Sequence, residues 1–250
     1  MPSAIDHLVI AVRDPGAAAG ELEAAVGLAA TGGGEHPGVG TYNRLAFLGD
    51  AYLELIGVRD AAAATHWPVG LAALRSLASG GGFATYALVD DELDDTGPRL
   101  RDGGSAIGAV TAGARIRPDG EVVTWWTATF DDLGPERPPF LIRHDYHRAE
   151  WGDAAMAARR AFVHPAGTPI GLTGLDLATD DPAGLAETYA RQLGIAFDVG
   201  EEGAVGVIGP HRVRLRPRAS MPASAVVWLS GGMAPVAADL LGVRFELTPG

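Results

Sequence analysis

The chain has 250 residues, 47% of them apolar, and a net charge of −12, which allows a sizeable core in one large domain or two small ones. The acidic balance argues against nucleic acid or an anionic membrane surface as the main partner. No apolar run is long enough to span a bilayer, and the N-terminus lacks a basic stretch followed by an apolar block, so no signal peptide and a cytoplasmic location are expected.

With no cysteine and no lysine among its residues, the chain excludes disulfides, thiolate chemistry and Schiff-base catalysis. Residues 4–12 are apolar and β-rich and predict a buried strand. Asp14 and Pro15 form a helix start, and Gly27 a helix stop. Residues 28–40, with Gly32-Gly33-Gly34 and His36-Pro37-Gly38, read as a loop. A hairpin follows over 41–48 and 51–58, turning at Gly49-Asp50.

Residues 59–82 read as a connector with a short helix around 68–78. A strand over 83–89 opens a second unit. A helix from about 91 to 102 follows, which Gly97-Pro98 should break or delay. Strands are expected over 121–130 and 140–144, then a linking helix over 149–163. A third unit spans 171–218. A strand at 224–229, a helix near 233–241 and a strand at 243–247 would begin a fourth unit.

The first and third units share one plan. Asp6-His7-Leu8-Val9 leads to Asp14-Pro15 and then to Tyr52-Leu53-Glu54-Leu55-Ile56. Leu175-Asp176-Leu177 leads to Asp181-Pro182 and then to Arg212-Val213-Arg214-Leu215. Repetition at this scale fixes the architecture before any one residue is interpreted. Paired strands after each helix argue against a Rossmann fold. There is no Gly-x-Gly-x-x-Gly run after a strand, no Walker motif and no Gly-x-Ser-x-Gly elbow.

The repeated unit resembles the vicinal-oxygen-chelate superfamily, in its glyoxalase-like branch. The resemblance rests on Asp6-His7-Leu8-Val9, on His36-Pro37-Gly38-x-Gly40-Thr41-x-Asn43 and on Tyr52-Leu53-Glu54-Leu55-Ile56. It continues in Arg117-Pro118-Asp119-Gly120 with a following Trp, and in Pro139-Phe140-Leu141-Ile142. It implies an α+β fold of tandem βαβββ modules forming curved mixed sheets around a cleft. A module pair would cover 1–148, a linking helix 149–170, and a degenerate third module with a partial fourth 171–250.

Strand alternation puts Ile5, His7 and Val9 on one face, and Glu54 shares its face with Tyr52 and Ile56. The resemblance makes His7 and Glu54 metal ligands for Zn, Mn, Fe or Ni. A buried hydrogen-bonded His–Glu pair is the plainer alternative. The counterparts of His7 in the second unit, Thr85 or Tyr86, are poor ligands, as is Ile142 opposite Glu54. His144 could complete a two-His-one-carboxylate set, with His147 in reserve, or both could belong to a solvated cluster.

In the third unit His7 matches Gly174 and Glu54 matches Arg214, so no metal is expected there. Arg212, Arg214, Arg216 and Arg218 alternate along one strand face. They could hold an acidic ligand, or form a solvated face paired with carboxylates. His36, Thr41 and Asn43 read as ligand-orienting groups at the cleft mouth or as turn chemistry. One of Trp125 and Trp126 should line the cleft; Trp126 is taken for ligand contact, with a core role for both as the alternative.

The family logic would use Glu54 as the base once a metal polarises a substrate oxygen. The expected function is a metal-dependent lyase, isomerase or dioxygenase acting on a small oxygenated substrate. The alternative is a metal-free, drug-sequestering binding protein. Related proteins often pair units between chains, so the resemblance leaves the oligomeric state open, with a homodimer as one option.

Overall fold

The computed structural model describes residues 1–147 and 150–250. The first 144 residues build β1 (Ala4–Ala11), α1 (Pro15–Val26), β2 (Gly32–His36), β3 (Thr41–Leu48), β4 (Ala51–Val58), α2 (Ala61–Ala64) and α3 (Pro68–Ala78). They continue with β5 (Gly82–Val89), α4 (Leu93–Asp102), β6 (Thr111–Ile116), β7 (Val122–Ala128) and β8 (Phe140–His144). The eight strands close into a barrel in the order β1-β4-β3-β2-β6-β7-β8-β5. β1 pairs parallel with β4 and antiparallel with β5.

Local chemistry sets these elements. Asp14 caps α1, accepting from the N–H groups of Gly16 at 2.8 Å and Ala17 at 3.1 Å. Pro15 opens the helix and Gly27 ends it at φ 76°, a left-handed geometry that favours glycine. α1 buries Ala18, Leu22 and Val26, while Leu8, Ile10, Leu53 and Leu55 are fully enclosed in the same core. Pro98 lies inside α4 without ending it; the buried Leu93, Thr96 and Gly97 anchor that helix, so packing outweighs the lost backbone hydrogen bond.

The Gly32–Gly34 run, expected as loop, is the start of β2. A Cβ on Gly34 would strike the Ile116 backbone carbonyl. Glycine here lets β6 approach through the Glu35–Ile116 pair that closes the barrel.

α5 (Asp153–Arg160) follows; Ala149, where the linking helix was expected to begin, lies outside the described residues. Then come β9 (Gly171–Thr179), α6 (Pro182–Leu193), β10 (Asp198–Gly200), β11 (Gly203–Ile208) and β12 (His211–Pro217). The chain ends with β13 (Ala225–Gly232), β14 (Val236–Leu240) and β15 (Val243–Pro249). The helix expected near 233–241 is therefore β14. It forms a hairpin with β15, turning through Leu241 at φ 52° and Gly242 at φ 72°, two positive-φ residues of the kind that match strand twist.

The second sheet has the order β10-β11-β12-β9-β13-β15-β14. Read from β2, the barrel runs β2-β3-β4-β1-β5-β8-β7-β6. The second sheet repeats this order without a counterpart of β6, so the closing pair is missing. One hydrophobic core runs through both sheets, joining Leu8 and Leu53 to Leu175, Val213 and Phe245. Two polar contacts reinforce it. Tyr86 donates to the Tyr189 hydroxyl at 3.0 Å, and the Ile5 N–H donates to His211 Nδ1 at 3.0 Å. Among the described residues no helix is long and apolar enough to cross a membrane.

Candidate active site

The barrel encloses a narrow cavity of about 30 Å³. β1 supplies His7, β2 His36, β3 Asn43, β4 Tyr52 and Glu54, and β8 Phe140 and His144. Trp67, Trp125 and Trp151 complete much of its wall. All seven strand side chains named here are buried.

A β-bulge places the first two groups. Ile5 pairs with Leu88 and His7 with Ala87, leaving Asp6 as an extra residue on β1. A bulge breaks strict alternation, so the Asp6 and His7 side chains meet. His7 Nδ1 donates to Asp6 Oδ1 at 2.6 Å, and His144 Nε2 donates to Asp6 Oδ2 at 2.8 Å. Burial pushes the Asp6 carboxyl up, but His144 and His7 outweigh burial and hold it well below the usual carboxylate range.

One carboxylate thereby fixes opposite tautomers in two rings. With Nδ1 held by Asp6, His7 turns Nε2 toward Glu54 Oε2 at 3.7 Å. With Nε2 on Asp6, His144 leaves its Nδ1 buried and without a partner among the described residues. Tyr52 stacks on His7 at 4.5 Å, and Trp151 stacks on His144 at 3.5 Å.

His36 approaches from the other side. Its Nδ1 lies 2.7 Å from Thr41 Oγ1, and its Nε2 lies 3.9 Å from Glu54 Oε1. Burial, opposed by Glu54 and aided by Arg115, lowers the His36 ring to about 4, so it is neutral near pH 7. Asn43 donates to Glu54 Oε1 at 2.6 Å and approaches His36 Nε2 at 3.3 Å, while its Oδ1 accepts from the Gly34 N–H at 3.0 Å. His36, Thr41 and Asn43 thus form one chain of contacts ending on Glu54.

His7 Nε2 and the Glu54 side chain face each other in a buried setting. Such acceptors need a cation or a proton between them. An imidazole nitrogen and a carboxylate are the chemistry of a borderline divalent ion, and Asp6 behind His7 is the outer partner that such a ligand uses. The residues fit a two-point seat. Among the described residues no three His, Asp or Glu side chains stand so that they could hold an ion together. His144 is turned onto Asp6, and the Asn43 amide lies against the Glu54 oxygen nearer His36.

Of the tryptophans expected at the cleft, Trp125 lines the cavity and Trp126 does not. Trp126 instead lies under the Arg143 guanidinium at 4.1 Å. His147 is exposed. The sequence reading missed Asp6, Arg115, Trp67 and Trp151. Arg115 is buried, donates to the Gly33 carbonyl at 2.5 Å and pairs with the buried Glu150. The signal for Asp6 was its place beside His7, but alternation alone sends neighbours to opposite faces.

The model of the Glyoxalase-like domain family matches residues 5–193. No curated protein matches the chain. A hypothetical protein from Staphylococcus aureus superposes with a TM-score of 0.79 at 13% identity, covering 98% of this chain and 99% of the other. A triple mutant of 4-hydroxymandelate synthase from Streptomyces coelicolor gives 0.51 at 15% identity over 92% of this chain and 71% of that one. The methylmalonyl-CoA epimerase of the same organism gives 0.42 at 18% identity over 57% and 94%. At these identities the first two structures speak for the fold alone. The family match spans more than half of the chain, and the protein belongs to the glyoxalase-like family of the vicinal-oxygen-chelate superfamily.

Proposed function

We propose that the barrel cavity holds a divalent ion at His7 and Glu54 and binds a small oxygenated substrate against it, as a lyase, isomerase or dioxygenase. The observation that carries this reading is the 3.7 Å approach of His7 Nε2 to Glu54 Oε2 with the His7 proton held on the far side by Asp6. When bound, the ion would polarise a substrate oxygen and stabilise negative charge developing on it.

The chain's own groups have distinct parts in this proposal. Glu54 accepts the proton released next to a polarised carbonyl. Asn43 and His36 orient the substrate beside Glu54, and Thr41 fixes the His36 ring. His144 Nδ1 is free to accept a substrate hydroxyl. Tyr52, Phe140, Trp67 and Trp125 provide apolar walls that keep water out and strengthen the charge interactions.

Binding without a metal is the second reading. The Asn43–Glu54 hydrogen bond at 2.6 Å favours it, because it satisfies one carboxylate oxygen with a neutral donor. Elemental mass spectrometry of metal-replete protein, beside a His7→Ala/Glu54→Ala double variant, separates the two. One transition metal per chain, lost in the variant, supports the enzyme. No metal in either, with the fold intact, overturns it in favour of the binding protein.

A further inference from the structure

The second sheet reproduces the barrel's register as well as its strand order. His7 pairs with Tyr52 and Val9 with Glu54 across β1 and β4. Gly174 pairs with Arg212 and Asp176 with Arg214 across β9 and β12. On the other side, Ala87 is the partner of His7 and Trp228 the partner of Gly174. Leu175, Val213 and Val227 face the core, so the alternate residues occupy the face that corresponds to the barrel interior. At the place of Tyr52, Glu54 and Ala87 this face carries two guanidinium groups and an indole.

The absence of a closing strand leaves this face open as a groove of about 310 Å³. Its lining includes Arg212, Arg214, His211, Trp228, Val207 and Pro210. Arg214 is pre-positioned. Its Nη1 donates to Asp176 Oδ1 at 2.9 Å and Oδ2 at 3.2 Å, and its guanidinium lies 5.3 Å from the Trp228 ring centre. His211 is 5% exposed, and its Nδ1 accepts the Ile5 N–H. By the same alternation His211 lies with Val213 on the core side of β12, so Arg212, Arg214 and Trp228 are the groups that face the groove.

Arg216 and Arg218 have carboxylate partners at Glu202 and at Glu136 and Asp180. Arg212 is exposed and has no ion-pair partner among the described residues. Arg212 thus stands beside a fixed arginine and an indole on one strand face. Guanidinium forks match carboxylates, and an indole with Val207 and Pro210 offers a flat apolar wall.

We propose that this groove binds a small aromatic carboxylate, its oxygens held by Arg212 and Arg214 and its ring laid against Trp228. The site lies outside the barrel cavity and needs no metal. Its failure is therefore separate from failure of the metal reading.

The test is titration of the chelator-treated full chain with sodium benzoate, followed by the indole N–H signals in a ¹H–¹⁵N spectrum. The Trp228 signal is assigned with Trp228→Phe. The expected result is a saturable shift of that signal at about millimolar benzoate. Arg212→Ala weakens binding by about tenfold or more, the loss of one charge-assisted contact. Arg212→Gln, which keeps the stem, gives the same answer if the alanine variant folds poorly. Benzyl alcohol, which lacks the charge, leaves the signal in place.

Several results would overturn the proposal. These are no saturable shift, binding by the Arg212 variants as tight as that of the parent chain, or shifts confined to Trp67 and Trp125. Inorganic phosphate matching benzoate without moving Trp228 would reduce the groove to a bare oxyanion patch and overturn it equally.

Discussion

Asp6 Oδ2 accepts from His144 Nε2 at 2.8 Å, so a residue near the start of the chain is tied to the last barrel strand 138 positions later. The same carboxylate holds His7 from its other oxygen. Asp6→Asn leaves one acceptor oxygen and puts an NH2 donor in place of the other, so one ring loses its acceptor unless it changes tautomer. The expected cost is about 3 kcal/mol, from loss of a buried charge-assisted bond, read as a lower midpoint in urea. Imidazole ¹⁵N shifts should show a changed tautomer in His7 or His144. Unchanged shifts would remove the argument for the positioning of His7. The acid side has a definite sign. The folded carboxyl titrates below its usual value, so its contribution is complete above the ordinary carboxylate range and is lost as pH falls through and below it.

His211 gives a second pH signature. Burial, opposed by Asp50, lowers its ring from the usual 6.5 to about 4. Between those values the unfolded chain binds a proton that the folded chain refuses, so stability falls as pH drops from 6.5 to 4. The loss from this group is of order 3 kcal/mol, since each pH unit across the window counts for roughly 1.4 kcal/mol. His36 adds a slope of the same sign. His211→Gln, whose carbonyl oxygen can accept the Ile5 N–H, should flatten the profile without abolishing it. A slope identical to that of the parent chain would sink this assignment.

Gly34→Ala tests barrel closure. A methyl group there meets a backbone carbonyl of Ile116, which cannot swing aside as a side chain can. The expected penalty is about 2 kcal/mol, typical of overpacking. It should fall on the β2–β6 contact, so faster amide exchange should spread along Gly32–His36 and Thr111–Ile116. Exchange unchanged in both strands would show that the barrel absorbs the methyl without loosening its seam.

Much of the fold was legible because its signals are local. Asp14-Pro15 and Gly27 bound α1, and short apolar runs mark β1, β4 and β8. The Gly32–Gly34 strand was not legible, because its glycines answer to a carbonyl distant in sequence. Nor was β14, whose Val236-Ala237-Ala238 run suits a helix until β15 is there to pair with it. At the site, alternation alone separates Asp6 from His7. The contact between them depends on a bulge, and a bulge depends on the partner strand. Arg115 and Trp151 come from segments that carry no motif, and only the closure of the barrel brings them to the cavity.

The bulge at Asp6 also ties the two sheets together. Immediately before it, the Ile5 N–H reaches across to His211, which belongs to the second sheet. A fragment ending after β8 would expose that donor together with Tyr86 and the apolar surface beneath Tyr189. The halves repeat one topology, yet they are not interchangeable parts. Exchanging one βαβββ unit for another would preserve the outline and lose the Ile5–His211 and Tyr86–Tyr189 contacts that join the sheets.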